Sequence, residues 1–154
     1  MAFSDKEIKV IKKLLEENPT AKIFLGADSQ RRKKKMVQYA TSFIIHYHDE
    51  NGIGKGAKIF ADVNYINTKD TNLAKPFNRM MKEVELITEL YNRLEDTLIE
   101  KEFEIHIDVN PQRGTGSNVA YDAAKWTIAG VIGVEPICKP EAWAASCAAD
   151  RYSK

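Results

Sequence analysis

Ile8, Ile11, Leu14 and Leu15 recur at helical spacing, and Ser4 with Glu7 forms a capping box just ahead of them. The pattern predicts a short amphipathic helix over residues 5–17, ended by "ENPT". Three strand-like segments come next, at about 21–28, about 36–47 ("MVQYATSFIIHY") and about 57–66 ("AKIFADVNYI"). Their connectors are a run of five basic residues and "HDENGIGKG", whose Asn-Gly and further glycines are turn chemistry. Three strands so joined predict an antiparallel meander.

From about Lys75 to Glu100 the period changes to 3.6, with Met80, Val84, Ile87, Tyr91, Leu94 and Leu98 on one side of a long helix. "FEIHIDVN" then reads as a strand, and a strand that follows a crossover helix pairs in parallel. After the loop "PQRGTGS" a helix is expected over 117–130 with Ser117 as its N-cap, then "VEPICK" as a short strand. "PEAWAASCAADRYSK" is expected as a final helix opened by Pro140. Strands in antiparallel array, followed by alternation with helices, predict an α/β fold: one mixed five-stranded sheet with helices on both faces.

Length and composition narrow the class. The 154 residues suit a single domain over 1–154, with residues 1–18 as a helical extension. A content of 44% hydrophobic and 29% charged residues supports a packed core under a charged surface. No apolar run reaches the roughly 18 residues of a membrane helix, and "MAFSDKEIKVIKK" lacks a signal peptide's apolar block, so an intracellular, cytoplasmic protein is expected. Cys138 and Cys147 make no disulfide framework and are expected as small buried residues. With a net charge of +1, attraction to a polyanion must be local. Arg31, Arg32, Lys33, Lys34 and Lys35 form the one dense basic cluster; such a run is usually a solvated turn, and the other reading is a contact to a phosphate backbone.

Among the acids, Asp28 and Asp108 stand out by position. In "KIFLGADSQ" alternation puts Phe24, Gly26 and Asp28 opposite Ile23, Leu25 and Ala27. In "FEIHIDVN" it puts His106 and Asp108 opposite Ile105, Ile107 and Val109. Each aspartate is either a turn-favouring residue that closes a strand or a ligand at a strand's carboxyl end, where open sheets with parallel strands hold ligands. Asp150 follows the small residues Ala144 to Ala149 on the last helix and is either a solvated end residue or a further member of that site. On the long helix, Glu83 points along the apolar stripe while Glu85 and Glu89 point away. An ionised carboxylate facing a core is costly unless paired or metal-bound, which favours Glu83 over Glu85. Such a carboxylate set suits two hard cations, Mg²⁺ or Mn²⁺, about 4 Å apart on a scissile phosphodiester.

Other signals carry less. His46 and His48 form H-x-H on a strand without a third ligand in the sequence, and His106 reads as a packing histidine or a group that tunes the Asp108 site. "GTGSN" lacks the lysine of a P-loop, and Trp126 and Trp143 fall on helices and are expected in the core.

The order of elements, with "GADSQ", "KEVEL", "IHIDVNP" and the terminal "KPEAWAASCAADRYSK", resembles the YkuK family of ribonuclease-H-like proteins from about residue 20 to the end. The resemblance implies a ribonuclease H fold with acids from strand one, the long helix, strand four and the last helix meeting at one site. Those positions are Asp28, Glu83, Asp108 and Asp150. The implied activity is a two-metal nuclease acting on RNA, DNA or a hybrid; from their charge, Arg31 to Lys35, Arg113 and Arg151 are expected to hold the backbone. The alternative is a binding module that keeps the fold without catalysis.

Overall fold

The computed structural model describes residues 3–69, 75–108, 120–138 and 144. Helix α1 (Asp5–Glu17) opens on the expected capping box: the Ser4 hydroxyl accepts from the Glu7 N–H at 3.2 Å, and the Glu7 carboxylate accepts from the Ser4 N–H at 3.3 Å. Its buried residues, Ile8, Ile11 and Leu15, lie at the predicted helical spacing.

Strands β1 (Lys22–Arg32), β2 (Met36–His48) and β3 (Gly54–Asn67) form the antiparallel meander. β1 runs four residues past the expected stop at 28, because β2 pairs with it out to Arg32↔Met36. Arg31 and Arg32 therefore belong to the strand, and only Lys33, Lys34 and Lys35 make the turn. At the other hairpin the Asp49 carboxylate accepts from the N–H groups of Asn51 and Ile53, both at 2.9 Å, and so supplies the turn itself.

Helix α2 (Pro76–Leu98) starts with proline at its first turn, where the missing N–H costs nothing, and buries a continuous stripe from Met80 to Leu98. β4 (Phe103–Ile107) then pairs in parallel with β1, from Ile23↔Phe103 to Ala27↔Ile107. The sheet order is β3-β2-β1-β4.

Two further expectations change. The sheet has four strands among the described residues, not five: "VEPICK" contributes one parallel bridge, His106↔Ile137. The Ile137 N–H donates to the Ile105 carbonyl at 2.8 Å, and the Ile107 N–H to the Ile137 carbonyl at 3.0 Å. Positions 109 and 139, where a further rung would form, lie outside the described residues. Helix α3 is described over Tyr121–Val131, with Ala120 at its N-cap; the expected start at Ser117 lies outside the described residues. Trp126 is exposed instead of buried, since α3 packs through Ala124 and Ile128 and position 126 falls about 200° from Ala124.

The main core lies between one sheet face and the three helices. Ile23, Leu25 and Ala27 of β1, with Ile105 and Ile107 of β4, meet Val84, Ile87, Leu90 and Leu94 of α2, and α1 and α3 close the flanks. On the other face Phe24 and Ile44 pack with Ala144, backed by Ile59. Ala144 is the one described residue of the expected last helix, so that helix, with Trp143 and Cys147, lies outside the described residues. Cys138 is partly buried against the main core. No helix among the described residues is long and apolar enough to cross a membrane.

Candidate functional site

The parallel register of β1 and β4 ends at Ala27↔Ile107, so the next residue on each strand is an aspartate, Asp28 and Asp108. Both follow the alternation of the second sheet face. Phe24, two pleats before Asp28, belongs to the apolar cluster there, and His106, one pleat before Asp108, meets Phe24 edge-on at 5.6 Å between ring centroids. Asp28 is buried and Asp108 half-buried.

Glu83 comes from the helix side. It is 3% exposed, whereas Glu85 and Glu89 are exposed, as the helical wheel distinguishes them. One residue beyond Asp28, alternation turns Ser29 toward α2, and its hydroxyl donates to Glu83 Oε2 at 2.6 Å. Burial raises the Glu83 pKa well above the usual carboxylate range; the Ser29 hydrogen bond opposes this, and the negative charges of Asp28 and Asp108 add to it. Asp28, Glu83 and Asp108 thus share one electrostatic environment.

Sequence reasoning missed three neighbours of Glu83. Ser29, whose hydroxyl meets the Glu83 carboxylate, carried no signal of this role in the sequence. Arg79 sits one helical turn before Glu83 and its positive charge counteracts the rise in the Glu83 pKa; the i,i+4 spacing of the pair was the available signal. Tyr39 pairs across the sheet with Ser29. Its buried hydroxyl and the Nε of Arg79 have no hydrogen-bond partner among the described residues. Burial first, then the Glu83 charge, push the Tyr39 pKa above the ordinary tyrosine value. No periodicity could have found Tyr39, because its place depends on the β1–β2 register.

His106 is fully buried. Its Nδ1 accepts the Ala144 N–H at 3.0 Å while its Nε2 lies 3.3 Å from Glu104 Oε2. Burial lowers its pKa against the opposing effect of Glu104, so the neutral ring ties β4 to the chain segment that leads to Asp150. His46 Nδ1 and His48 Nε2 face each other at 3.0 Å. Arg31 and Lys33 to Lys35 are exposed and Arg32 is partly buried. Asp150, Arg113 and Arg151 lie outside the described residues.

The oxygen donor set of Asp28, Glu83 and Asp108 fits a hard divalent cation in kind. A buried carboxylate facing two others is also the setting in which a cation relieves both desolvation and repulsion. Among the described residues no group of three His, Cys, Asp or Glu side chains is spaced to hold a metal ion, and Glu83 is engaged by Ser29.

A family model described as Ribonuclease H-like matches residues 6–154. Neither the curated proteins nor the solved structures gave a match.

Proposed function

The chain belongs to the ribonuclease H-like family, and on that premise we propose that it is a divalent-metal-dependent nuclease acting at Asp28, Glu83, Asp108 and Asp150. The observation that carries the reading is the buried Glu83 carboxylate in the field of two aspartates from adjacent parallel strands. Asp28 and Asp108 would hold a pair of Mg²⁺ or Mn²⁺ ions, with Glu83 and Asp150 completing the set. Bound there, the ions supply charge neutralisation and Lewis acidity toward phosphodiester oxygens.

The chain's own residues do the remaining work. Ser29 fixes the rotamer of Glu83 by its 2.6 Å hydrogen bond. Packing of α2 on the sheet excludes water from Glu83, which strengthens its interaction with any cation. Arg31 to Lys35, with Arg113 and Arg151, would hold the nucleic-acid backbone by charge, without base readout.

The test is cleavage of labelled RNA, DNA, hybrid and branched substrates with Mg²⁺ or Mn²⁺. Asp28→Asn is expected to lower cleavage by on the order of a hundredfold or more, the scale of losing one preorganised charged group, with an unchanged circular dichroism spectrum. Wild-type cleavage rates in the folded variant would overturn the assignment, and a wild type inert on every substrate would favour a non-catalytic module.

A further inference from the structure

The face that carries Asp28 continues across three strands. Asp28 pairs with Ala40 and Ala40 with Val63; one pleat further out, Gln30 pairs with Gln38 and Gln38 with Tyr65. Strict alternation keeps all of these on one face. Tyr65 is 61% exposed there, while Gln38 beside it is 4% exposed. The Arg32 Nε donates to Gln38 Oε1 at 2.6 Å, which fixes the guanidinium over the same row. Arg31, Arg32, Lys33, Met36, Gln38 and Tyr65 line a cavity of about 650 Å³.

The adjoining hairpin tip is held rather than loose. Lys34 and Lys35 both adopt left-handed backbone, at φ 61° and 58°, which side chains with a Cβ rarely do. Thr68 grips the Lys35 carbonyl with its N–H at 2.7 Å and its hydroxyl at 2.8 Å. Such locally unfavourable backbone persists where surrounding contacts over-determine it, and it is common at ligand clamps.

We infer that this cavity binds a single strand of nucleic acid, with an unpaired base stacked on Tyr65 and backbone phosphates on Arg31, Arg32 and Lys33. The charge matches a polyanion, and an exposed ring among cations is the pairing that single-strand sites use, since every base has a face to stack. A base inside a duplex already has both faces stacked and offers none to Tyr65. From strand spacing and rise, the Tyr65 and Asp28 Cα positions are about 12 Å apart on the same face, a few nucleotide steps along a strand. The direction of that strand, toward the carboxylates, rests on the nuclease reading; the binding itself does not.

The experiment is fluorescence anisotropy of a labelled single-stranded oligonucleotide and of its duplex, with the full chain in EDTA so that nothing is cut. The single strand is expected to bind at least about tenfold tighter than the duplex. Tyr65→Ala should weaken single-strand binding roughly 5- to 150-fold, and Tyr65→Phe should restore it to within about twofold. Arg31→Gln with Lys33→Gln should reduce the slope of log K against log salt by about 1.4. Equal binding by Tyr65→Ala, or equal preference for duplex, overturns the inference even if wild-type protein cleaves. Single-strand binding that depends on Tyr65, in a protein that cleaves nothing with Mn²⁺, upholds the binding site and removes the nuclease reading. Capture of a protein instead of the oligonucleotide would also overturn it.

Discussion

Glu83 is the residue at which the site's electrostatics and the stability of the fold meet. Burial, followed by the charges of Asp28 and Asp108, raises its folded pKa above the ordinary value of 4.5. Between 4.5 and that higher folded pKa, the native state keeps a proton that the unfolded chain has released. Stability of the metal-free protein therefore falls as pH rises through this window, by about 1.4 kcal/mol per pH unit for one proton, and becomes level above it. Glu83→Gln retains a partner for Ser29 and removes the titration, so urea unfolding of the variant in EDTA should lack this slope. Parallel pH profiles for variant and wild type would contradict the raised pKa. The same proton competes with a cation, so a metal held by Glu83 binds more tightly as pH increases.

At the scale of elements, α2 does two jobs: it seals the sheet and presents Glu83. Ile87, one turn after Glu83, is fully buried in the main core. Ile87→Ala is expected to cost about 2–5 kcal/mol in urea denaturation, while the exposed Glu89→Ala should stay within about 0.5 kcal/mol. A smaller loss at Ile87 would mean that α2 packs more loosely than its burial indicates. The sequence made such elements legible where their signals are local. The capping box and apolar spacing define α1 to its end residues, and the wheel of α2 separates buried Glu83 from exposed Glu85. Strand limits were less legible, because partners decide them: β2 carries β1 through Arg32, and the expected fifth strand shows one bridge to β4 among the described residues. The sheet face on which Asp28 and Asp108 lie was legible from alternation alone. Ser29 and Tyr39 were not legible, since their roles arise only when sheet register and helix docking are combined, whereas Arg79 could have been found from its i,i+4 spacing to Glu83.

For the whole molecule, a net charge of +1 leaves the hairpin between β1 and β2 as the local source of positive potential. Metal binding to the native state should appear as a global effect: Mn²⁺ at a hundred times its Kd adds about 2.7 kcal/mol, which raises Tm by roughly 5 to 10 °C for a chain of this size. Asp28→Asn should abolish most of that shift in a thermal melt, and a shift retained in full would place the ion elsewhere. Topology adds a matter of timing. β1 meets β2 across a short hairpin, but it meets β4 only after β3 and α2 have been made, at Ile23↔Phe103. Closing so long a loop is entropically costly and slow compared with hairpin formation. A chain still on the ribosome, extended past Glu83 but not yet to Phe103, holds Asp28 and Glu83 but lacks Asp108. On the nuclease reading, a half-made copy therefore poses no threat to the message that encodes it.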